Sequence, residues 1–233
     1  MAEPLGHAAP PAYQPIPLPD RVSVTDTEAL ARAEAVLARM RRRHTVRAFS
    51  DRPVPQAVME RCIAAAATAP SGANLQPWRF VLVGPGPLRS MIRAGAEAEE
   101  QAFYAGRAGA AWLEALAPLG TDAAKPFLET APWLVAVFGQ RFADGPDGRR
   151  IKTYYTPESV GIATGFLITA LHECGLATLT HTPSPMGFLN RALGRPPSEK
   201  PYVLLVVGHP AADATVPAHA KRKLPLGEVL SVR

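Results

Sequence analysis

The chain has little cysteine. Among its 233 residues only Cys62 and Cys174 are cysteines, and they do not form a CxxC or other metal-ligand spacing. A disulfide-stabilised fold and a metal site are therefore not expected, and a reduced, cytoplasmic environment is favoured.

The chain also lacks a long apolar run. Its most apolar stretch, residues 160–171, contains Thr164 and Thr169 and is shorter than the roughly 20 residues that a membrane span needs. We therefore expect no membrane insertion. Residues 1–22 are rich in proline and predict an extended arm, whereas residues 23–233 predict a single globular domain.

Aromatic residues are scarce as well. They make up 7% of the chain and do not alternate with the basic residues, although 25 Lys and Arg outnumber 20 Asp and Glu. Nucleic-acid-binding surfaces commonly combine basic and aromatic side chains. A basic pocket for a small anion is therefore favoured, and no nucleic-acid partner is expected. The alternative, a DNA-binding domain, predicts salt-sensitive binding.

Several catalytic motifs are absent from the sequence. There is no HExxH, Walker A or GxSxG pattern, which disfavours a metalloprotease, an NTPase and a serine hydrolase. No GxGxxG follows a predicted strand, so a Rossmann domain for NAD is not expected.

What the chain does contain is an alternation of helical and strand patterns. The first predicted helix, residues 26–43, begins with a capping box from Thr25 to Glu28 and carries Leu30 and Leu37 on one face. Further helices are predicted over residues 58–68, 88–105, 157–174 and 186–193, strands over residues 79–83, 133–138, 176–180 and 202–207, and a turn over residues 144–148. The alternation predicts an α+β fold with a small mixed sheet flanked by helices.

Residues 69–78 have the composition of a functional loop. Pro70 ends the preceding helical pattern, and Gly72 permits backbone approaches that a β-carbon would prevent. A strand pattern follows at once. Polar loops between regular elements often carry ligand-binding groups, although for this stretch alone a plain turn is the commoner interpretation.

Two further sets of residues could bind charged groups. Arg43, Thr45 and Arg47 share one face of an extended segment, and such a set can bind phosphate. Glu100 and Tyr104 stand four apart in a helical pattern, and with Lys125 they supply what the zwitterion of an amino acid needs: a carboxylate, a neutral donor and a cation. From the residues alone, solvated surface groups are the commoner interpretation of both sets.

Taken together, these segments resemble the FMN-dependent nitroreductase superfamily, and within it the iodotyrosine deiodinase branch. The resemblance extends from about residue 40 to the C-terminus. Its motifs, in chain order, are residues 43–47, Pro70-Ser71-Gly72-Ala73, Pro77-Trp78, Tyr154-Tyr155, Leu193-Gly194-Arg195-Pro196, Glu199-Lys200, Gly208-His209-Pro210, Ala214-Thr215-Val216-Pro217 and Lys221-Arg222-Lys223. It implies an intertwined homodimer with two FMN sites, each built from both chains.

The resemblance also implies which residues bind the FMN. Arg43, Thr45, Arg47 and Arg222 would hold its phosphate, ribityl chain and pyrimidine edge. The backbones of His44, Ser71 and Gly72 would lie nearby, and Thr180, His181 and Thr182 would lie along the flavin ring. The hydroxyl of Thr182 would act near flavin N5 and permit one-electron steps. His44 and His181 depart from the family pattern, which usually has Arg and Thr there.

For the substrate, the resemblance implies a halotyrosine or related aromatic amino acid. Glu100, Tyr104 and Lys125 would bind its zwitterion within a lid of about residues 94–130, and the backbone N–H of Ala73 would contact its phenolate. A C-terminal extension would cover about residues 210–233. The implied reaction is reductive dehalogenation, which releases halide and tyrosine with electrons from NAD(P)H or a reductase.

Two alternatives use the same cofactor. A broad NAD(P)H-dependent nitroarene or quinone reductase would not need Glu100 and Lys125 together, because its substrates carry no zwitterion. A non-catalytic flavin-binding protein would hold FMN without turnover.

Overall fold

A four-stranded antiparallel sheet lies at the centre of the structure, a computed structural model that describes residues 13–144 and 150–233. Its strand order is β1-β2-β6-β5, and a two-stranded sheet pairs β3 with β4. The strands are β1 (Trp78–Val83), β2 (Trp133–Gln140), β3 (Phe142–Asp144), β4 (Arg150–Lys152), β5 (Ala177–His181) and β6 (Glu199–Gly208).

Helices cover both faces of this sheet. The helices in the described part of the chain are α1 (Asp26–Arg41), α2 (Gln56–Ala66), α3 (Pro87–Ala102), α4 (Ala110–Leu116), α5 (Phe127–Thr130), α6 (Thr156–Glu173), α7 (Gly187–Ala192) and α8 (Leu226–Val229). Short 3₁₀ turns cover Gly72–Asn74, Ala117–Leu119 and Ala218–Lys221, and a π-helical turn covers Phe103–Arg107. The predicted α+β arrangement of a small sheet flanked by helices is confirmed.

The direction of the strands differs from the predicted mixed sheet. All three pairings in the four-stranded sheet are antiparallel, and a parallel contact occurs at the isolated bridge between Thr45 and Thr178. Strand direction depends on how long connections cross the sheet, and periodicity within each strand does not encode it.

The middle of the sheet is buried on both faces because side chains alternate along each strand. Leu134, Ala136 and Phe138 of β2 face a core cluster that includes α3 and α7 residues. Val135 and Val137 face the cluster formed with α2 and α6. The continuous apolar run of this strand, interpreted as burial on both faces, is confirmed.

Helix α6 is central but is not buried all round. Val160, Ala163, Leu167 and Leu171 are buried, whereas Ile162 and Phe166 are 43% and 45% exposed. One apolar side of this helix therefore has no cover within the described part of its own chain.

Helix α1 forms with the predicted capping box between Thr25 and Glu28. Most of its apolar face, however, is not covered by described residues: none of its residues is buried, and Leu30 and Leu37 are 63% and 50% exposed. Its last turn contacts α6 through the ion pair of Arg39 with Glu173. The helix ends at Arg41, two residues before the predicted end.

Two sequence predictions fall partly outside the described residues. Of the proline-rich arm, residues 1–12 are not described, and residues 13–22 form no helix or strand. Most of the predicted turn at residues 144–148 is likewise outside; β3 and β4 pair on either side of it. No helix in the described ranges has the length and apolarity to cross a membrane.

Candidate functional site

A cavity of about 430 Å³ lies between the end of β5 and the segment from α3 to α5. It gathers seven of the sequence-predicted site residues: Arg47, Glu100, Tyr104, Lys125, Thr180, His181 and Thr182. Apolar side chains complete its wall: Phe103, Trp112, Leu116, Phe127 and Leu179.

Lys125 is buried in the wall of this cavity beside one carboxylate. Its side chain is 6% exposed, and its Nζ lies 3.3 Å from Oε2 of Glu100. The same ammonium donates a hydrogen bond to the carbonyl of Asp122. A buried lysine needs such a partner, because the desolvation of an unpaired charge is costly.

Tyr104 lies on the π-helical turn that follows α3 and completes this group. Its hydroxyl donates to Oγ1 of Thr121 at 2.8 Å, and Nζ of Lys125 lies 5.9 Å from its ring centre. Single π-helical turns often occur at functional sites because they redirect the side chains that follow. The carboxylate of Glu100, the ammonium of Lys125 and the phenol of Tyr104 thus lie together in the wall of the cavity.

His181 is a buried histidine in the same cavity. It is 6% exposed, its ring packs edge-on against Phe127, and its Nε2 has no hydrogen-bond partner among the described residues. Burial, and then the positive charges of Lys125 and Arg47, lower the pKa of His181 to about 4. The imidazole is therefore neutral at pH 7, and its Nε2 is available to a ligand.

The predicted basic set is divided between two cavities. Arg47 lines the first cavity, whereas Arg43 and His44 line a second one of about 520 Å³. Thr45 lies between them, where its backbone bridges to Thr178 of β5. One short segment thus carries cationic groups along β5 from one cavity to the next.

Within one chain, the loop at Ser71–Ala73 lies outside the 430 Å³ cavity, close to Tyr154 and Ser159. The backbone N–H of Gly72 donates to the hydroxyl of Ser159 at 3.4 Å. A β-carbon on Gly72 would lie 2.9 Å from the carbonyl oxygen of Tyr154, so the close approach that needs glycine is to this backbone. Ala73 has a φ of 50°, an uncommon conformation found at functional loops.

None of Ser71, Gly72, Ala73 and Arg222 lines the 430 Å³ cavity of this chain, as far as residues 13–144 and 150–233 show. Arg222 is exposed after the last 3₁₀ turn. These four predicted site residues are not brought together with the other predicted ones within one chain.

Three site residues had no role in the sequence interpretation. Glu97 accepts the backbone N–H of Lys125 at 2.7 Å, and Thr121 and Asp122 contact Tyr104 and Lys125. Glu97 could have been found because it lies on α3 three residues before Glu100, on the same helical face. Thr121 and Asp122 lie in an irregular segment where no periodicity indicates orientation.

The donor set suits an anionic cofactor together with a zwitterionic ligand. Guanidinium groups and hydroxyls bind phosphate and polyol oxygens, and the orphaned Nε2 of His181 offers a further polar contact. Glu100 and Lys125 can each exchange their mutual contact for an opposite charge of a ligand.

Comparison with known sequences identifies proteins similar to this chain. The nitroreductase family model matches residues 40–209. The iodotyrosine deiodinase of Haliscomenobacter hydrossis is 50% identical over 190 residues, which cover 82% of this chain and 86% of the relative. The iodotyrosine deiodinase of Nematostella vectensis is 38% identical over 232 residues, 99% of this chain and 84% of the relative.

Comparison with solved structures points to the same family as the comparison with sequences. An oxidized iodotyrosine deiodinase bound to FMN and 3-iodo-L-tyrosine is 32% identical and superposes with a TM-score of 0.66, covering 76% of this chain and 90% of that one. A nitroreductase family protein from Streptococcus pneumoniae, 20% identical, covers 85% and 100% with a TM-score of 0.60 and supports the fold alone. The nitroreductase-like fold implied by the resemblance is confirmed.

Proposed function

Since this chain belongs to the nitroreductase family, within its iodotyrosine deiodinase branch, we propose that it removes iodine from iodotyrosine by reduction. The chain is an FMN-dependent oxidoreductase. The overall step is the conversion of iodotyrosine, two electrons and one proton into tyrosine and iodide. Other halotyrosines belong to the proposed substrate class because the zwitterion is common to all of them.

The contact between Glu100 and Lys125 carries this proposal. The carboxylate and the ammonium stand 3.3 Å apart in one cavity wall, with the phenol of Tyr104 beside them. A bound amino acid would place its ammonium on Glu100 and its carboxylate on Lys125. A reductase of uncharged aromatics has no use for this buried pair, whose desolvation has a cost.

FMN, when bound, supplies the two electrons. Arg43, Thr45, Arg47 and Arg222 would hold its phosphate, ribityl chain and pyrimidine edge. The backbones of His44, Ser71 and Gly72 would approach it, and Thr180 and His181 would lie along the ring. The hydroxyl of Thr182 would hydrogen-bond near N5, and the N–H of Ala73 would hold the substrate's phenolate. NAD(P)H or a reductase would regenerate the reduced cofactor.

The proposed assembly is a homodimer in which each site uses both chains. Two observations support it. Ser71–Ala73 lie outside the cavity of their own chain, and the apolar residues on α1 and α6 are exposed. A second copy that covers these helices would also bring its loop to the cavity. Residues 94–130 would then close as a lid over the substrate and exclude water.

The test begins with anaerobic reduction of the flavin in the purified protein. Added 3-iodotyrosine should reoxidise the flavin and release one iodide per flavin, whereas tyrosine should not. Failure of iodotyrosine to reoxidise the flavin would contradict the proposal. Reoxidation by a nitroarene but not by iodotyrosine would favour the broad reductase, and absence of both would favour a non-catalytic flavin protein.

A further inference from the structure

Helix α3 holds Lys125 through two contacts, one to its side chain and one to its backbone. Its side chain contacts Glu100, at 3.3 Å, and its backbone N–H donates to Oε1 of Glu97 at 2.7 Å. Glu97 and Glu100 stand three apart on α3 and so lie on the same face. The two contacts set both the position of the Lys125 backbone and the direction of its side chain.

Glu97 is itself held in place by Arg93, one turn earlier. Nε of Arg93 lies 2.8 Å from Oε1 of Glu97, and its Nη1 lies 2.7 Å from Oε2 of Glu129 on α5. Burial acts to raise the pKa of Glu97, but hydrogen bonds from the Lys125 N–H and from Arg93 lower it overall. Glu97 is therefore ionised at neutral pH and accepts both bonds.

The same face of α3 also fixes the far end of the Lys125 segment. Arg89, which is 2% exposed, donates to the carbonyls of Leu128 at 2.7 Å and Pro132 at 3.3 Å, and also to that of Ala131. Residues 89, 93 and 97 recur every four positions, so they form one row on the helix. This row connects the segment that carries Lys125 to the helix that carries Glu100.

We propose that Glu97 is a positioning residue for substrate binding, because it holds the backbone of Lys125 so that its ammonium stands beside Glu100, where the zwitterion of an amino acid can meet both charges. The inference rests on the proposed function. Without Glu97 the Lys125 N–H loses its acceptor, and the ammonium is no longer placed against Glu100. Misplacement of a binding group by about 1 Å is enough to weaken recognition strongly.

Three variants test this role with 3-iodotyrosine as substrate. Glu97→Met keeps the length of the side chain and removes the acceptor, Glu97→Asp withdraws the carboxylate, and Glu97→Gln keeps an acceptor oxygen at the same reach. For Glu97→Met and Glu97→Asp we expect KM to rise on the order of tenfold, with kcat changed much less and FMN content unchanged. Glu97→Gln should restore a KM close to that of the wild type.

Hydrogen exchange at the Lys125 amide provides a readout independent of activity. Protection should be lost in Glu97→Met and retained in Glu97→Gln. Glu60→Met is the matched control, because Glu60 is an exposed helical glutamate on α2 that contacts Gln56. If Glu97→Met fails to fold, the KM and the amide exchange of Glu97→Asp test the role of Glu97 instead.

The outcomes separate this inference from the function on which it rests. If the wild type does not dehalogenate iodotyrosine, the proposed function fails. The hydrogen-exchange data then test on their own whether Glu97 holds the Lys125 backbone. If the wild type dehalogenates iodotyrosine but Glu97→Met and Glu97→Asp leave KM and the hydrogen exchange of the Lys125 amide unchanged, the positioning role is overturned. A parallel fall of kcat and FMN content with KM constant would equally overturn it, as that pattern indicates general destabilisation.

Discussion

Lys125 shows how one buried residue depends on its partners. Its ammonium is almost fully enclosed and has Glu100 as its carboxylate. An uncharged partner on either side would leave a buried charge uncompensated, whereas a bound zwitterion would compensate both. The same two residues should therefore control substrate affinity much more than cofactor affinity.

Substitution of this pair gives the first prediction. Glu100→Gln and Lys125→Ala should each weaken the binding of iodotyrosine on the order of 100-fold, since each leaves one charge of the bound zwitterion unpaired. Binding is measured by the change of flavin absorbance or fluorescence on titration. Lys152→Ala, at an exposed lysine on β4, is the control. Loss of FMN from both Glu100→Gln and Lys125→Ala would contradict their assignment to the substrate.

His181 gives a prediction about pH. Its pKa in the folded chain is about 4, against an ordinary value of 6.5. Below pH 6.5 the unfolded chain binds a proton that the folded chain does not, so stability falls as the pH drops towards 4 and is fully retained above 6.5. The loss at the acidic end amounts to roughly 3 kcal/mol.

The measurement is the free energy of unfolding by urea at several pH values between 4 and 7. His181→Thr should show a shallower fall than the wild type, by up to about 1.4 kcal/mol per pH unit. His219→Gln, at an exposed histidine, should keep the wild-type slope. Equal slopes for the wild type and His181→Thr would show that His181 has the same pKa in the folded and the unfolded chain, which would contradict the prediction.

At the residue scale, the sequence predicted the charged group around Lys125 better than the residues that hold this group in place. The family resemblance, rather than residue type alone, singled out Glu100, Tyr104 and Lys125, and the structure lines one cavity with all three. The role of Glu97 was missed because its contact is to the backbone of a residue 28 positions away, and residue type does not reveal such a contact. Burial of His181 was missed because a strand end does not determine which side chains become covered.

At the scale of elements, α3 carries the start of the proposed lid and packs closely on α7. A β-carbon at Gly95 would lie 2.6 Å from Cδ2 and 2.9 Å from Cγ of Phe188, a buried residue of the core. Glycine therefore occupies this position because of the close approach of the two helices, at the expense of helix propensity.

Gly95→Ala should destabilise the fold even though alanine favours helices. The propensity gain of up to about 1 kcal/mol is smaller than the 1–3 kcal/mol that overpacking typically costs. We expect a net loss of roughly 1 kcal/mol in the free energy of unfolding, measured by denaturant. Gly187→Ala, at the start of α7 with nothing within 4 Å of the added carbon, should be neutral or stabilising. If Gly95→Ala is as stable as Gly187→Ala, Phe188 can move aside.

Periodicity predicted most elements, and their mutual arrangement much less well. The strand at Trp133–Gln140 and the capping box of α1 follow from local patterns. The antiparallel order of the sheet does not, because connections between distant segments determine it. The segment between α3 and β2, for which the sequence pattern predicts no helix or strand, contains α4 and α5, which are too short for a periodic signal to identify.

At the scale of the whole molecule, two features remain unexplained within one chain. The apolar residues of α1 and α6 are exposed, and the loop at Ser71–Ala73 lies away from the cavity that it is proposed to complete. Apolar helix residues that stay exposed together are commonly found at interfaces. The proposed homodimer accounts for both features, since one association would cover the helices and complete the sites.

Phe166→Glu on α6 tests this link between assembly and cofactor. A charge at a position that becomes buried between copies should prevent association, because its desolvation would have no compensation. The wild type should have twice the mass of one chain in light scattering and carry one FMN per chain. Phe166→Glu should have the mass of one chain and lose most of its FMN, as the sites would then lack the partner's loop. Met91→Glu, at an exposed methionine on α3, should remain dimeric and yellow. A monomeric wild type that retains FMN, or a Phe166→Glu dimer with full FMN, would contradict the shared site.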